Sequence, residues 1–245
     1  MKDNFSVNSD KYARYRPGYP NELFEFLNEI TNQKDLAWDC GTGNGQSARS
    51  LSKYYKKVYA TDISNKQLKH AQHTNNIVYA QEAAEKTSLE ENTVDLITVS
   101  QELHWFDIPS FYAEVKRVGK QDAVIAVWTY NLLKADLYTD KILHNYHFDI
   151  LKDYWDPERQ HVNDGYSNIP FPFKKINSPA FNIELYWTNK DLEGYLNTWS
   201  ATQKFIETNH INPVNDLMEK ININWKAGET RRIIFPLYLK AGYIH

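Results

Sequence analysis

Apolar positions along this chain follow two alternating periods. In Asn21–Ile30, Leu23, Phe26, Leu27 and Ile30 fall on one helical face. A short apolar run, Leu36-Ala37-Trp38, then ends in Asp39 and leads through glycines at 41, 43 and 45 into a helix-compatible stretch over 46–54. Residues 57–62 read as a second strand. Ser64 and Gln67 have the spacing of a capping box and start a helix that runs to about 72. Residues 77–80 and 94–99 are a third and a fourth strand, and Ile108, Phe111, Val115 and Val118 mark an amphipathic helix between the fourth and a fully apolar fifth strand, 123–127. Strands and helices alternating at this spacing predict an α/β fold, a parallel sheet covered on both faces. After Trp128 the pattern changes. Residues 137–154 read as a helix, 156–179 with four prolines as a loop or lid, 181–187 as a strictly alternating sixth strand, 192–208 as a helix, and 231–239 as a seventh strand.

The glycine stretch reads D-x-G-x-G-x-G from Asp39. The dinucleotide fingerprint G-x-G-x-x-G needs a third glycine where Gln46 stands, and an acid at 39 repels a pyrophosphate at close range. It suits a ligand that carries an ammonium group. The following helix turns its positive end toward whatever ligand approaches the glycine turn. Asp62 lies 17 residues beyond Gly45 at a strand end, where a carboxylate can accept both hydroxyls of a ribose. The fourth strand continues into Ser100-Gln101-Glu102-Leu103-His104-Trp105-Phe106-Asp107, at the sheet edge where open α/β sheets bind ligands.

Composition narrows the function classes. A net charge of −3 with 24% charged residues leaves no basic footprint for nucleic acid. No apolar run approaches a membrane span and the N-terminus lacks the basic-then-apolar pattern of a signal peptide, so a soluble cytoplasmic protein is expected. Aromatic residues make up 14% of the chain, and many of the 17 Tyr and 7 Trp fall after residue 128, which suggests an aromatic-lined pocket there. The single cysteine, Cys40, reads as a packing residue. His144 and His147 are three apart on a predicted helix, but nothing nearby completes a metal motif, so no metal site is expected. No nucleophile elbow of the G-x-S-x-G type is present.

The glycine stretch resembles motif I of the class I methyltransferases that use S-adenosylmethionine (SAM). The run 94–107 with its His-Trp-Phe, the N-terminal Tyr15-Arg16-Pro17-Gly18-Tyr19-Pro20, and Tyr195-Leu196-Asn197-Thr198-Trp199-Ser200 resemble the subgroup that includes the trans-aconitate methyltransferases. The likeness is good over residues 12–130 and loose beyond. Glu102 departs from it, standing where a small residue is common, and the turn at 119–122 lacks the usual Pro-Gly-Gly.

The resemblance implies a single Rossmann-like, doubly wound domain over 1–245. Its seven-stranded sheet would be mostly parallel, with the last strand antiparallel. Residues 12–130 would form the SAM-binding core and 132–178 a capping insertion over the acceptor site. The cofactor is expected at Asp39, Gly41, Thr42, Gly43, Gly45, Asp62, Ile63, Ala84, Glu85 and Gln101, leaving S-adenosylhomocysteine (SAH) as product. Ala84 and Glu85 would lie along the adenine edge, although Glu85 reads equally as a solvated acid. His104, as a base or a structural histidine, and Trp105 are expected on the acceptor side, with Tyr15, Arg16 and Arg159 as further acceptor contacts. The expected partner is a small molecule, with a carboxylic acid such as trans-aconitate as the candidate, and the expected state a monomer or weak homodimer. A non-catalytic SAM-binding module and a nicotinamide oxidoreductase are the alternatives.

Overall fold

The computed structural model describes residues 15–245, so Tyr12 and the rest of 12–14 lie outside the described residues. Helix α1 (Asn21–Ile30) precedes strand β1 (Leu36–Cys40). Then come α2 (Gln46–Leu51), β2 (Lys57–Asp62), α3 (Asn65–Lys69), β3 (Ile77–Gln81), β4 (Val94–Ser100), α4 (Ile108–Val118) and β5 (Gly119–Tyr130). Strands β1 to β5 pair in parallel in the order β3-β2-β1-β4-β5. Their near-continuous apolar sequences follow from burial on both sides. Along β5, Val124, Ala126 and Trp128 enter one core while Ala123, Ile125 and Val127 enter the other. Trp128 is fully buried, edge-on to Tyr19 at 5.5 Å and to Phe24 at 6.2 Å. An aromatic residue so enclosed holds about 3–5 kcal/mol against truncation to alanine.

The second half is more broken than its periodicity suggests. The helix expected over 137–154 is α5 (Leu137–Asn145), followed by a π turn, Tyr146–Ile150, and a 3-10 turn, Lys152–Tyr154. The stretch expected as a loop contains α6 (Arg159–Asn163) and a short strand, β6 (Lys174–Ile176). After β7 (Phe181–Trp187), the single helix expected over 192–208 is two, α7 (Asn189–Leu196) and α8 (Ser200–Asn209). A further helix, α9 (Pro213–Asn222), is capped by Asn212 and buries Val214, Leu217, Met218 and Ile221. The chain closes with β8 (Arg231–Tyr243).

Strand β8 lies antiparallel against β5, as the resemblance implies for the last strand. The seventh place in the sheet is split. Phe181 to Trp187 pair with Leu237 to Arg231, and Lys174 to Ile176 pair with Tyr243 to Ala241, along the same strand. Residues 238–240 lie between the two ladders. There the turn after α6 drops onto the sheet: Gly165 packs on the Tyr238 ring, and Lys240 Nζ donates to the carbonyls of Tyr166 and Ile169. That seating fixes Tyr166, which the site uses. No helix among the described residues is long and apolar enough to cross a membrane.

Candidate active site

A cleft opens at the carboxyl ends of β1, β2 and β4. Gly41 and Gly43 turn the chain out of β1 with φ of +66° and +56°, a region that side chains disfavour. A Cβ on Gly41 would stand 2.8 Å from the Cβ of Glu102, whereas a Cβ on Gly43 would meet nothing within 4 Å. The backbone at 43 therefore faces open space. Asp62 fixes this turn: its two carboxylate oxygens accept the amides of Gly43 and Ser64, each at 2.8 Å. Thr42, Asp62, Ile63 and Gln101 line the cleft beside the glycines, as do Tyr19, Gln67 and Tyr130, which the sequence did not mark as site residues. Gly45 caps α2 with a left-handed φ and stands outside this lining.

Asp39 is corrected from a residue facing the ligand to one beneath the turn. It is fully buried and accepts the hydroxyls of Thr42 at 2.5 Å and Thr98 at 2.8 Å. Burial raises its carboxyl to about 6 despite those two bonds. Ala84 is buried and Glu85 accepts the Asp107 amide at 3.0 Å; neither lines the cleft. Tyr15 is likewise off the cleft, with its ring against Gly194 of α7.

A second, smaller chamber adjoins the cleft. It is walled by His104, Trp105, Trp155, Arg159, Tyr195 and Trp199, among others. The cap expected at 132–178 supplies only part of this wall, because Tyr195 and Trp199 come from α7 and the turn after it. Among the described residues, three line both cavities: Arg16, Gln101 and Glu102. Arg16 reaches the Tyr130 hydroxyl and the Thr198 carbonyl, both at 3.5 Å, and lies over the Tyr195 ring at 5.4 Å. Gln101 has a φ of +63°, a strained backbone at the end of β4, and its side chain is held by Thr129 and by Tyr130.

The charges in this region are unevenly matched. Arg159 stacks on Trp155 at 4.9 Å, and its Nε makes no hydrogen bond among the described residues. His104 Nδ1 is 3.0 Å from the Tyr166 hydroxyl. Burial, then Arg159 and His161, lower the His104 imidazole to about 3, so it stays neutral at physiological pH and is a weak base there. Burial also raises the Glu102 carboxyl well above its ordinary range; Asp62 adds to this and Arg16 opposes it. His147 serves packing: it is buried against Trp155 and Trp199, with Nε2 3.3 Å from Asn163. No group of three potential metal ligands occurs among the described residues.

Residues 38–127 match a family model described as a methyltransferase domain. A Dictyostelium discoideum protein provisionally named a methyltransferase is 34% identical over 97% of this chain and 93% of that one. The chain belongs to the class I SAM-dependent methyltransferases. A structure from Anaeromyxobacter dehalogenans, provisionally described as a type II methyltransferase, superposes with a TM-score of 0.88. It shares 34% identity and covers 94% of this chain and 98% of its own. The mitochondrial arginine-hydroxylase NDUFAF5 of Danio rerio is 30% identical over 48% of this chain and 38% of its own.

The cofactor of this methyltransferase family is SAM, and the cleft suits it. The backbone is open at Gly43, a carboxylate stands at the end of β2, and a second acid, Glu102, lies in the same lining. The Asp62 carboxylate disfavours a pyrophosphate and favours a cationic ligand.

Proposed function

We propose that this methyltransferase acts on a small molecule held in the chamber, a carboxylic acid methylated on oxygen. The Arg159 guanidinium is the observation that carries the reading. A half-buried cation whose buried Nε–H meets no partner among the described residues is costly unless an anion joins it, and a carboxylate fits a guanidinium in bidentate fashion. Arg16 offers a second cation to a di- or tricarboxylic acid. The weak basicity of His104 supports the same acceptor class, because a carboxylate with a pKa near about 4 is already a nucleophile at neutral pH. Resemblance to the trans-aconitate subgroup makes trans-aconitate the first acid to try.

Bound SAM supplies an activated methyl group on a positively charged sulfur. The chain's task is to bind, align and dry. We assign the cofactor to the backbone at Gly41 and Gly43, with Thr42, Ile63 and Gln101 around it and Asp62 on the ribose hydroxyls. Arg159 holds the acceptor against Trp105 and Trp155, and the aromatic wall excludes water from the line of transfer.

The test is SAM turnover across di- and tricarboxylic acids, phenols and amines. With an active acid in hand, Arg159→Gln should raise its KM about ten- to a hundredfold, the loss of a charge-assisted pair, while SAH affinity stays unchanged. Activity confined to phenols or amines refutes the acid reading.

A further inference from the structure

The cleft and the chamber meet at a wall made by Arg16, Gln101 and Glu102. A methyl group that passes from cofactor to acceptor must cross there, so the positive sulfur lies toward that wall. Gln101 is neutral and its amide is tied to Thr129 and Tyr130. Arg16 carries the same sign as the sulfonium. Glu102 is the one acid among the described residues that line both cavities.

We propose that Glu102 distinguishes SAM from SAH: its carboxylate pairs with the sulfonium charge and loses that partner once transfer leaves a neutral thioether. The surroundings of Glu102 make this pairing switchable. Burial and Asp62 at the end of β2 hold the acid toward its neutral form, and Arg16 from the N-terminal segment only partly opposes them. On the chamber side stand Arg159 of α6, His104 on the turn that Glu102 begins, and Asp156, which pairs with Lys204 at 2.7 Å. Tyr166 is close enough to feel the Glu102 charge, and burial keeps that phenol protonated. Tyr130 lines the cleft and Tyr195 the chamber. A cation arriving at the wall shifts Glu102 toward the carboxylate, and its proton leaves to solvent. SAH brings no such charge, so the carboxyl keeps its proton. After transfer the carboxylate regains a proton from solvent, and the proton count closes over the cycle. The inference rests on the cofactor and holds for any acceptor.

Calorimetry of the whole protein with SAM and with SAH, at one pH in two buffers of different ionisation enthalpy, counts the protons exchanged. Both ligands carry the same α-ammonium, so the difference between them reports the sulfonium. SAM should release more protons than SAH, and Glu102→Gln should abolish the excess. The same variant should weaken SAM about tenfold and leave SAH within about twofold. In the wild type the SAM-to-SAH preference should grow as pH rises, because the ionised form favours SAM. Equal proton counts for the two ligands in the wild type, or an excess that survives in Glu102→Gln, overturn the proposal. If the wild type binds neither ligand, the cofactor assignment falls and this inference with it.

Discussion

The Asp62 carboxylate has two tasks that one substitution removes together. It holds the amides of Gly43 and Ser64, and it lines the cleft where the proposed reading puts the ribose hydroxyls. Asp62→Ala should therefore weaken SAM and SAH alike, by about ten- to a hundredfold, from the loss of charge-assisted hydrogen bonds worth about 1.5–3 kcal/mol. Calorimetry on the variant measures both affinities, and unchanged binding refutes the role. Equal loss for the two ligands separates Asp62 from Glu102, whose removal should affect SAM alone. Asp39 shows the limit of reading an acid by its position in a motif. The residue is where the motif puts it, but β1 turns its side chain inward to Thr42 and Thr98.

The π turn Tyr146–Ile150 brings His147 into the core behind the chamber. Burial, then the Arg159 charge, lower its imidazole from the ordinary 6.5 to about 3. The folded state therefore favours neutral histidine. Its contribution is full above pH 6.5 and is lost as pH falls, because the unfolded chain takes up the proton first. Between pH 7 and 5 this group should cost about 2 kcal/mol of unfolding free energy. Denaturant titrations at the two pH values measure it, and a His147→Phe variant with the same pH slope as the wild type refutes it. The break that places His147 was not legible in the sequence, because its apolar spacing stays close to helical across 137–154. Strand β6 was hidden for another reason: of Lys174, Lys175 and Ile176 only one is apolar, and its pairing depends on β8 far along the chain. By contrast, β1 to β5 and α4 were legible because burial on two faces, or on one helical stripe, is written locally. The helix α9 carries a readable signal in Asn212, Pro213 and the spacing of Val214, Leu217, Met218 and Ile221. In the site, the glycine turn and strand ends could be placed from sequence. The joining of Arg159, Tyr166 and Trp199 to His104 could not, since it depends on how the second half folds back.

At the scale of the molecule, β8 fastens the two halves. It pairs with β5 over seven positions from Val124 to Tyr130 and offers its other edge to β6 and β7. The core behind β5 is completed by Ile233 and Phe235 of β8, with Leu192 and Leu196 of α7. A fragment ending at Tyr130 keeps the residues matched by the family model but exposes that edge and that core. It should show no cooperative thermal transition by circular dichroism; a sharp melt would mean that the first half folds alone. The wall of Arg16, Gln101 and Glu102 has a consequence at the same scale. In the proposed reading cofactor and acceptor rest on the same three side chains, and thermodynamics makes any coupling between them mutual. SAH thus becomes a reporter on the neighbouring chamber. Any compound that seats there changes the SAH dissociation constant by the factor by which SAH changes its own, so the methyl acceptor can be sought by titrating a non-reactive ligand, with no turnover to detect.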